Sequence, residues 1–265
     1  MIEPVIWTNI ILGVVQGLTE FLPVSSSGHL ILARELFGFS GEMDLTFDAL
    51  LHFATASAIV VYFRKDIYSL LKALFNLPLK VFKKVDLDTT DNMVIALMVG
   101  TIPAVIFGLL LEDLMESVFR NPMLIAYTLL VGSAVMFFAE KKKGIFPNMP
   151  LGWKKGLILG LFQSLALIPG MSRSGMTISG GMLTGMSRAK SARFGFLLGI
   201  PILLGAGAKK ALELGLGEID ILGVASAFVV GLLVIHFLLK FLRSHTLYVF
   251  IFYRVVLAVG ILIVL

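Results

Sequence analysis

The chain contains no cysteine in its 265 residues. That excludes disulfides and thiolate chemistry but leaves the compartment open. It is also poor in charge: 15% of residues are charged against 58% hydrophobic, with a mean hydropathy of +0.96. A soluble domain of this size cannot hide so much apolar side chain. Short stretches of strictly alternating apolar and polar residues are missing too, which excludes a membrane β-barrel. What the chain has instead is apolar runs of about 20 residues, the length of a helix crossing a bilayer. The net charge of +5 does not point to nucleic acid, because the basic residues sit in short clusters between apolar runs, where membrane topology puts them. The opening "MIEPVIWTN" lacks the basic stretch of a cleaved signal and is expected to stay in the mature protein. These features predict an all-α integral membrane protein, a single domain over residues 1–265.

Apolar segments run roughly over 4–22, 46–63, 91–111, 123–139, 156–170, 191–208, 220–242 and 247–265. The first and fifth differ from the rest. Each ends at a proline followed by a Ser/Gly-rich turn and a short helix-like piece: "VSSSGHLILARELFG" after Pro23, "GMSRSGMTISGGMLTG" after Pro169. A chain that breaks at membrane depth must be enclosed by protein or line a wet cavity. Both are therefore read as re-entrant helical hairpins, leaving about six transmembrane helices.

The two hairpins resemble each other. "GVVQGLTEFLPVSSSG" and "GLFQSLALIPGMSRSG" share Gly13/Gly160, Gln16/Gln163, Leu18/Leu165, a proline shifted by one place and a closing Ser-Gly. Tyr127 and Tyr253 echo the same relation. The expected organisation is two pseudo-repeats, about 1–140 and 150–265, each with one hairpin and three spans. An odd number of spans per half makes the repeats inverted, so the broken tips meet near the midplane, where inverted-repeat membrane proteins build their sites. One set of loops collects most of the positive charge, including Arg64, Lys65, Lys83, Lys84, Lys141, Lys142, Lys143, Lys154, Lys155, Arg188, Arg193, Lys240 and Arg243. The other keeps Arg34, Arg120, Lys209 and Lys210. The rich side is read as cytoplasmic and both termini as external. Residues 64–85 mix basic and apolar residues at helical spacing and read as an amphipathic helix on the membrane surface.

Brought together, the tips supply Gln16, Glu20, Ser25, Ser26, Ser27 and His29 from one side, and Ser172, Arg173, Ser174 and Thr177 from the other. Each tip opens a short helix after a Ser/Gly turn, and helix N-termini suit phosphate. Arg173 offers a planar fork for phosphate oxygens. A hydroxyl beside Glu20 and His29 has the makings of an activated nucleophile with acid/base help. The plain alternatives are that the serines are helix caps and packing residues, that Glu20 and Arg173 form a structural ion pair, and that Gly175, Gly180 and Gly181 serve packing. His52, His236 and Arg254 lie within apparent spans and are read as satisfied structural groups, with Asp48 an acid for Arg254 to pair with. The list is that of a phosphoryl-transfer site for a lipid phosphate; a transporter or flippase of an anionic substrate, built on the same repeat, is the alternative.

"GLTEFLPVSSSGH" together with "PGMSRSGMTISGG" resembles the undecaprenyl-diphosphatase family, the bacitracin-resistance membrane phosphatases. The likeness extends over nearly the full chain in length and segment order. The resemblance implies hydrolysis of undecaprenyl diphosphate to undecaprenyl phosphate and inorganic phosphate, which recycles a lipid carrier for peptidoglycan in the bacterial inner membrane. It implies a site facing the extracytoplasmic side, a divalent cation, magnesium or calcium, with Glu20 as its ligand, and leaves a homodimer open. On matching positions, Glu20, Ser26, His29 and Arg173 carry catalysis, while Gln16, Ser25, Ser27, Ser172, Ser174 and Thr177 contact substrate. The nucleophile stays open between Ser26, His29 and a water. The chain departs from the family's common pattern at Gln16, where a second glutamate is expected, and at Ser27, where threonine is frequent.

Overall fold

The computed structural model describes residues 2–37, 44–111, 121–142, 144–145, 149–214 and 221–264. Arg120 and Lys143 of the charge pattern lie outside them. Eleven helices and no strands occur among the described residues. In chain order they are α1 (Ile2–Thr19), α2 (Ser26–Phe37), α3 (Asp44–Tyr62), α4 (Arg64–Phe82), α5 (Thr89–Leu110) and α6 (Pro122–Lys141). There follow α7 (Trp153–Leu165), α8 (Arg173–Leu183), α9 (Arg188–Leu214), α10 (Ile221–Phe241) and α11 (Tyr248–Val264). The apolar composition thus resolves as an all-helical membrane protein. Four helices, α5, α6, α9 and α10, are long and apolar enough to cross a bilayer alone. The other two expected spans are shorter or bent: α11 has 17 residues, and α3 turns by 84° into α4.

Small residues decide which helices meet. In lipid, helices gain little by hiding apolar surface from one another, so close backbone approach and dispersion drive their packing. Gly13 and Gly17 of α1 lie against Gly223, Ala227 and Gly231 of α10; a Cβ on Gly17 would come within 2.8 Å of the Ala227 carbonyl. In the same way Gly156 and Gly160 of α7 lie against Ala96 and Gly100 of α5. Residue numbers rise together along both pairs, so each is parallel. Each hairpin helix therefore rests on a span from the opposite half of the chain, and the two halves interlock. Helix α3 packs on α9 and α6 on α11.

Polar bonds gather the basic loops at one end. The Arg193 guanidinium reaches Asp66 at 2.5 Å. Arg188 grips Glu140 through Nε at 2.9 and 3.0 Å and through Nη2. Lys80 bonds Asp88 and Asp91, which form the capping box of α5. The start of α7 stands at this end, with Gly152 beside Asn92. The start of α1 stands at the other, since Gly223 at the head of α10 lies against Asn9, and α10 carries Lys240 in its last turn. The two hairpins thus enter from opposite ends. Helix α4 leaves Tyr68, Leu71, Phe75, Leu79 and Phe82 exposed and turns sharply off α3, as suits a helix lying along a membrane surface.

Candidate active site

Each tip forms because its chain cannot continue as a helix. Helix α1 stops at Thr19, and Pro23, lacking an N–H, sits in the break. Phe21 anchors the turn: it is fully buried and meets Phe196 edge-to-face at 5.3 Å between ring centroids. Ser25 then takes the left-handed backbone conformation, φ 78°, and its hydroxyl receives the Gly28 N–H of α2 at 3.4 Å. The second tip repeats this. Gly170 has φ 92° and Ser172 φ 71°, and the Ser172 hydroxyl receives the Gly175 N–H of α8 at 3.2 Å. Non-glycine residues seldom take positive φ, and such strain persists only where surrounding contacts enforce it.

Those contacts run between the tips. Gly170 N–H donates to Ser25 Oγ at 3.1 Å. The Ser174 hydroxyl donates to the Leu22 carbonyl at 2.9 Å; from α6, outside both tips, the Thr128 hydroxyl donates to the Pro169 carbonyl at 2.5 Å. Arg254 of α11, fully buried, ties both: it donates to Pro23 O at 3.4 Å, Gly170 O at 2.8 Å, Leu129 O at 3.1 Å and the Ser133 hydroxyl at 3.0 Å. Its expected partner Asp48 is engaged elsewhere, held by both terminal nitrogens of Arg34 at 2.7 Å. Arg254 is therefore solvated by tip carbonyls, which replace an acid.

Glu20 is the hub of the joined tips. Its Oε1 receives Arg173 Nη2 at 2.6 Å. Its Oε2 receives the Ser26 hydroxyl at 2.7 Å and the Gln16 amide at 3.0 Å, with His52 Nδ1 at 3.1 Å. Gly199 makes room for the guanidinium; a Cβ there would overlap it, approaching Cζ to 2.8 Å. A cavity of about 220 Å³ opens over Glu20, lined by the polar Ser25, Ser26, Ser27, Ser172, Arg173, His52 and Gln163 and by the apolar Ala104, Leu167, Ile202 and Leu203. Its polar groups come from the two tips, α3 and α7, and its apolar ones from α5, α9 and the second tip. Four buried polar atoms in and beside it have no partner: Gln16 Oε1, Arg173 Nε, and the oxygen and nitrogen of the Gln163 amide. The Glu20–Arg173 pair cancels in charge, so further negative charge in the cavity meets the N-termini of α2 and α8. Among the described residues no group of three or more His, Asp or Glu side chains is placed to hold a metal ion.

The cavity brings together Glu20, Ser25, Ser26, Ser27, Ser172 and Arg173 of the expected residues, with Gln16 bonded behind Glu20. Ser25 and Ser174 also latch tip to tip. Two residues stand elsewhere. Thr177 is fully buried, its hydroxyl turned back to the Arg173 carbonyl at 2.9 Å, and it does not line the cavity. The His29 ring is captured by the Ser25 carbonyl at 2.7 Å through Nδ1, which places its proton there, and Nε2 accepts from the Tyr253 hydroxyl at 2.7 Å. His29 does not line the cavity. Sequence reasoning missed His52 and Gln163 as cavity residues. For Gln163 the signal existed, since it is the repeat partner of Gln16; for His52 it was only a polar residue inside an apolar run.

The model of a family described as bacitracin resistance protein BacA matches residues 9–260. The chain is 42% identical over 255 residues to undecaprenyl-diphosphatase of Moorella thermoacetica, covering 94% of each. It is 40% identical over 258 residues to undecaprenyl-diphosphatase of Elusimicrobium minutum, covering 96% of each. It is 39% identical over 263 residues to undecaprenyl-diphosphatase 1 of Pseudoalteromonas translucida, covering 97% of each.

Proposed function

The chain belongs to the bacitracin resistance protein BacA family and hydrolyses undecaprenyl diphosphate to undecaprenyl phosphate and inorganic phosphate; we propose that Ser26 is the nucleophile of that reaction, Glu20 its base and Arg173 its phosphate clamp. The observation that carries this reading is the 2.7 Å bond from the Ser26 hydroxyl to Glu20 Oε2, in a cavity whose mostly apolar lining surrounds a cluster of polar side chains. The lipid tail lies along Ala104, Ile202 and Leu203, and the diphosphate reaches the tips.

The step runs as follows. Ser26 Oγ attacks the terminal phosphorus while its proton passes to Glu20 Oε2. The bond from that phosphorus to the bridging oxygen breaks, and undecaprenyl phosphate leaves with the electron pair. A phosphate monoester is a stable anion and needs no proton to depart, so the chemistry places no demand on His29. Water then attacks the phosphoserine; the bond from phosphorus to Ser26 Oγ breaks, Oγ takes back the proton held by Glu20, and inorganic phosphate leaves with the oxygen and protons of the water. Arg173, engaged with Glu20 by Nη2, has Nε unpartnered to bind a phosphate oxygen. The N-termini of α2 and α8 add fixed positive dipole.

A divalent cation fits here only together with substrate. Glu20 and the unpartnered Gln16 Oε1 are hard oxygen donors, too few to hold magnesium or calcium alone but enough when phosphate oxygens complete the shell. When bound, it would offset charge on the diphosphate. The orientation follows from charge: the basic end is the cytoplasmic one. Ala104 and Leu203 lie past the middle of α5 and α9, away from that end, which supports a site facing the extracytoplasmic side of the bacterial inner membrane.

Phosphate release by the purified protein in detergent tests the assignment. Ser26→Ala, Glu20→Ala and Arg173→Ala should each lose about 100- to 1,000-fold in kcat, and acid-quenched wild type should carry phosphate on Ser26. Full turnover by any of the three variants overturns the role given to that residue.

A further inference from the structure

His52 projects from α3, a helix outside both hairpins, into the wall of the cavity beside Glu20. Leu51 and Ala54 on either side of it are buried against Leu12 and Ala227, which fixes the helix and therefore the ring. One edge of that ring is spoken for. The Gln16 amide nitrogen carries two protons and faces two acceptors, Glu20 Oε2 at 3.0 Å and His52 Nδ1 at 2.9 Å. This arrangement leaves the imidazole proton on Nε2. A doubly protonated ring would turn its Nδ1–H to Glu20 Oε2, 3.1 Å away, and would still carry Nε2–H. No protein partner meets Nε2 among the described bonds, and the side chain keeps 28% of its surface open where it lines the cavity.

We infer that His52 is a further catalytic residue, donating an Nε2–H hydrogen bond to an oxygen of the phosphoryl group under attack. The inference rests on the assignment of Ser26, Glu20 and Arg173 above and extends it. Arg173 and His52 stand on the two oxygens of Glu20, Oε1 and Oε2 respectively, with the Ser26 hydroxyl also on Oε2. A phosphorus placed for attack by Ser26 has Arg173 on one flank and His52 on the other. Gln16 then has a duty unrelated to charge. Its amide holds Nδ1 of the neutral ring as an acceptor and so keeps the single donor on the substrate side, whereas a carboxylate at position 16 would accept from Nδ1–H and leave Nε2–H only on a doubly protonated ring.

Two substitutions separate this role from simple support of Glu20. A glutamine amide nitrogen falls near Nε2 of the histidine it replaces; an asparagine amide falls near Nδ1. His52→Gln therefore keeps the substrate-side donor, and His52→Asn keeps the Glu20 side. In detergent, with a polyprenyl diphosphate as substrate, His52→Asn should lower kcat/KM by about 10- to 100-fold, the worth of a hydrogen bond to a charged group. His52→Gln should stay within about fivefold of wild type, and inhibition by added inorganic phosphate should weaken in Asn but not in Gln. Asn matching or exceeding Gln, or equal losses in both, overturns the inference. Full activity of Ser26→Ala would instead overturn the underlying assignment, whatever the His52 variants do.

Discussion

Replacing Arg254 by methionine should loosen the joint between the two tips. Methionine keeps most of the length and apolar volume, so the cavity left is small, and the cost comes from hydrogen bonds. Of the four acceptors, Leu129 O retains the Ser133 hydroxyl at 2.7 Å. Pro23 O and Gly170 O have no other donor among the described bonds. A buried acceptor left unsatisfied costs about 1–3 kcal/mol, so two cost about 2–6 kcal/mol. Hydrogen bonds between membrane helices measure lower on average, because the chain unfolded within the membrane finds other partners. The lower half of that range, about 2–4 kcal/mol, is the expectation. At roughly 2–4 °C per kcal/mol for a chain of this size, the unfolding midpoint in detergent should fall by about 5–15 °C. Activity should fall too, since Glu20 and Arg173 come from different tips and meet at 2.6 Å. A displacement of about 1 Å in such a site costs on the order of 100-fold. Arg254→Lys should be intermediate, because one ammonium cannot span carbonyls on both tips. If Arg254→Met unfolds within about 1 °C of wild type and hydrolyses substrate at the wild-type rate, the joint is held by something other than Arg254, and the magnitudes above are wrong.

Gln16→Glu would set a second carboxylate about 3 Å from Glu20, and two carboxylates that close cannot both ionise without a cation between them. The variant should therefore depend more steeply on added magnesium and lose more activity to a chelator than wild type; an unchanged response refutes the cation position. Outside the membrane, the N–H of Asp91 and the Lys80 ammonium, with that of Thr90, hold the Asp88 carboxyl down at about 2, from 3.8. The stability it adds is present above the unfolded value and lost as pH falls toward the folded one. The wild-type unfolding midpoint should drop between pH 4 and 2 more than that of Asp88→Asn, and parallel curves would exclude the effect.

The hairpins were legible because proline and a Ser/Gly turn interrupt hydrocarbon at two matching places, and a bilayer tolerates such breaks only for a reason. That alone pointed to the polar residues of the two tips, Glu20 and Arg173 among them; the choice of Ser26 from three adjacent serines came from the family resemblance. The helix-packing seams were half visible: Gly13, Gly17, Gly156 and Gly160 stand at four-residue spacing, but their partners on α10 and α5 lie in the opposite halves of the chain. The directions of side chains within the tips were not visible. His29 stands three residues from Ser26, near enough on a helix to share its face, yet the carbonyl of Ser25 holds its ring toward Tyr253. Asp48 suggested itself for Arg254 by charge and was claimed by Arg34, fourteen residues away on the neighbouring helix.

By itself, then, the sequence determined the solvent, the helices and the two broken places, since these depend on local composition and on what lipid forbids to an unpaired backbone. Only the tertiary structure decided what meets what: α3 delivering His52 to Glu20, α11 delivering Arg254 to both tips, and each hairpin lodging on the other half's span. Those pairings depend on distance in space, and residues as far apart as Glu20 and Arg173 carry no local mark that they will share a bond of 2.6 Å.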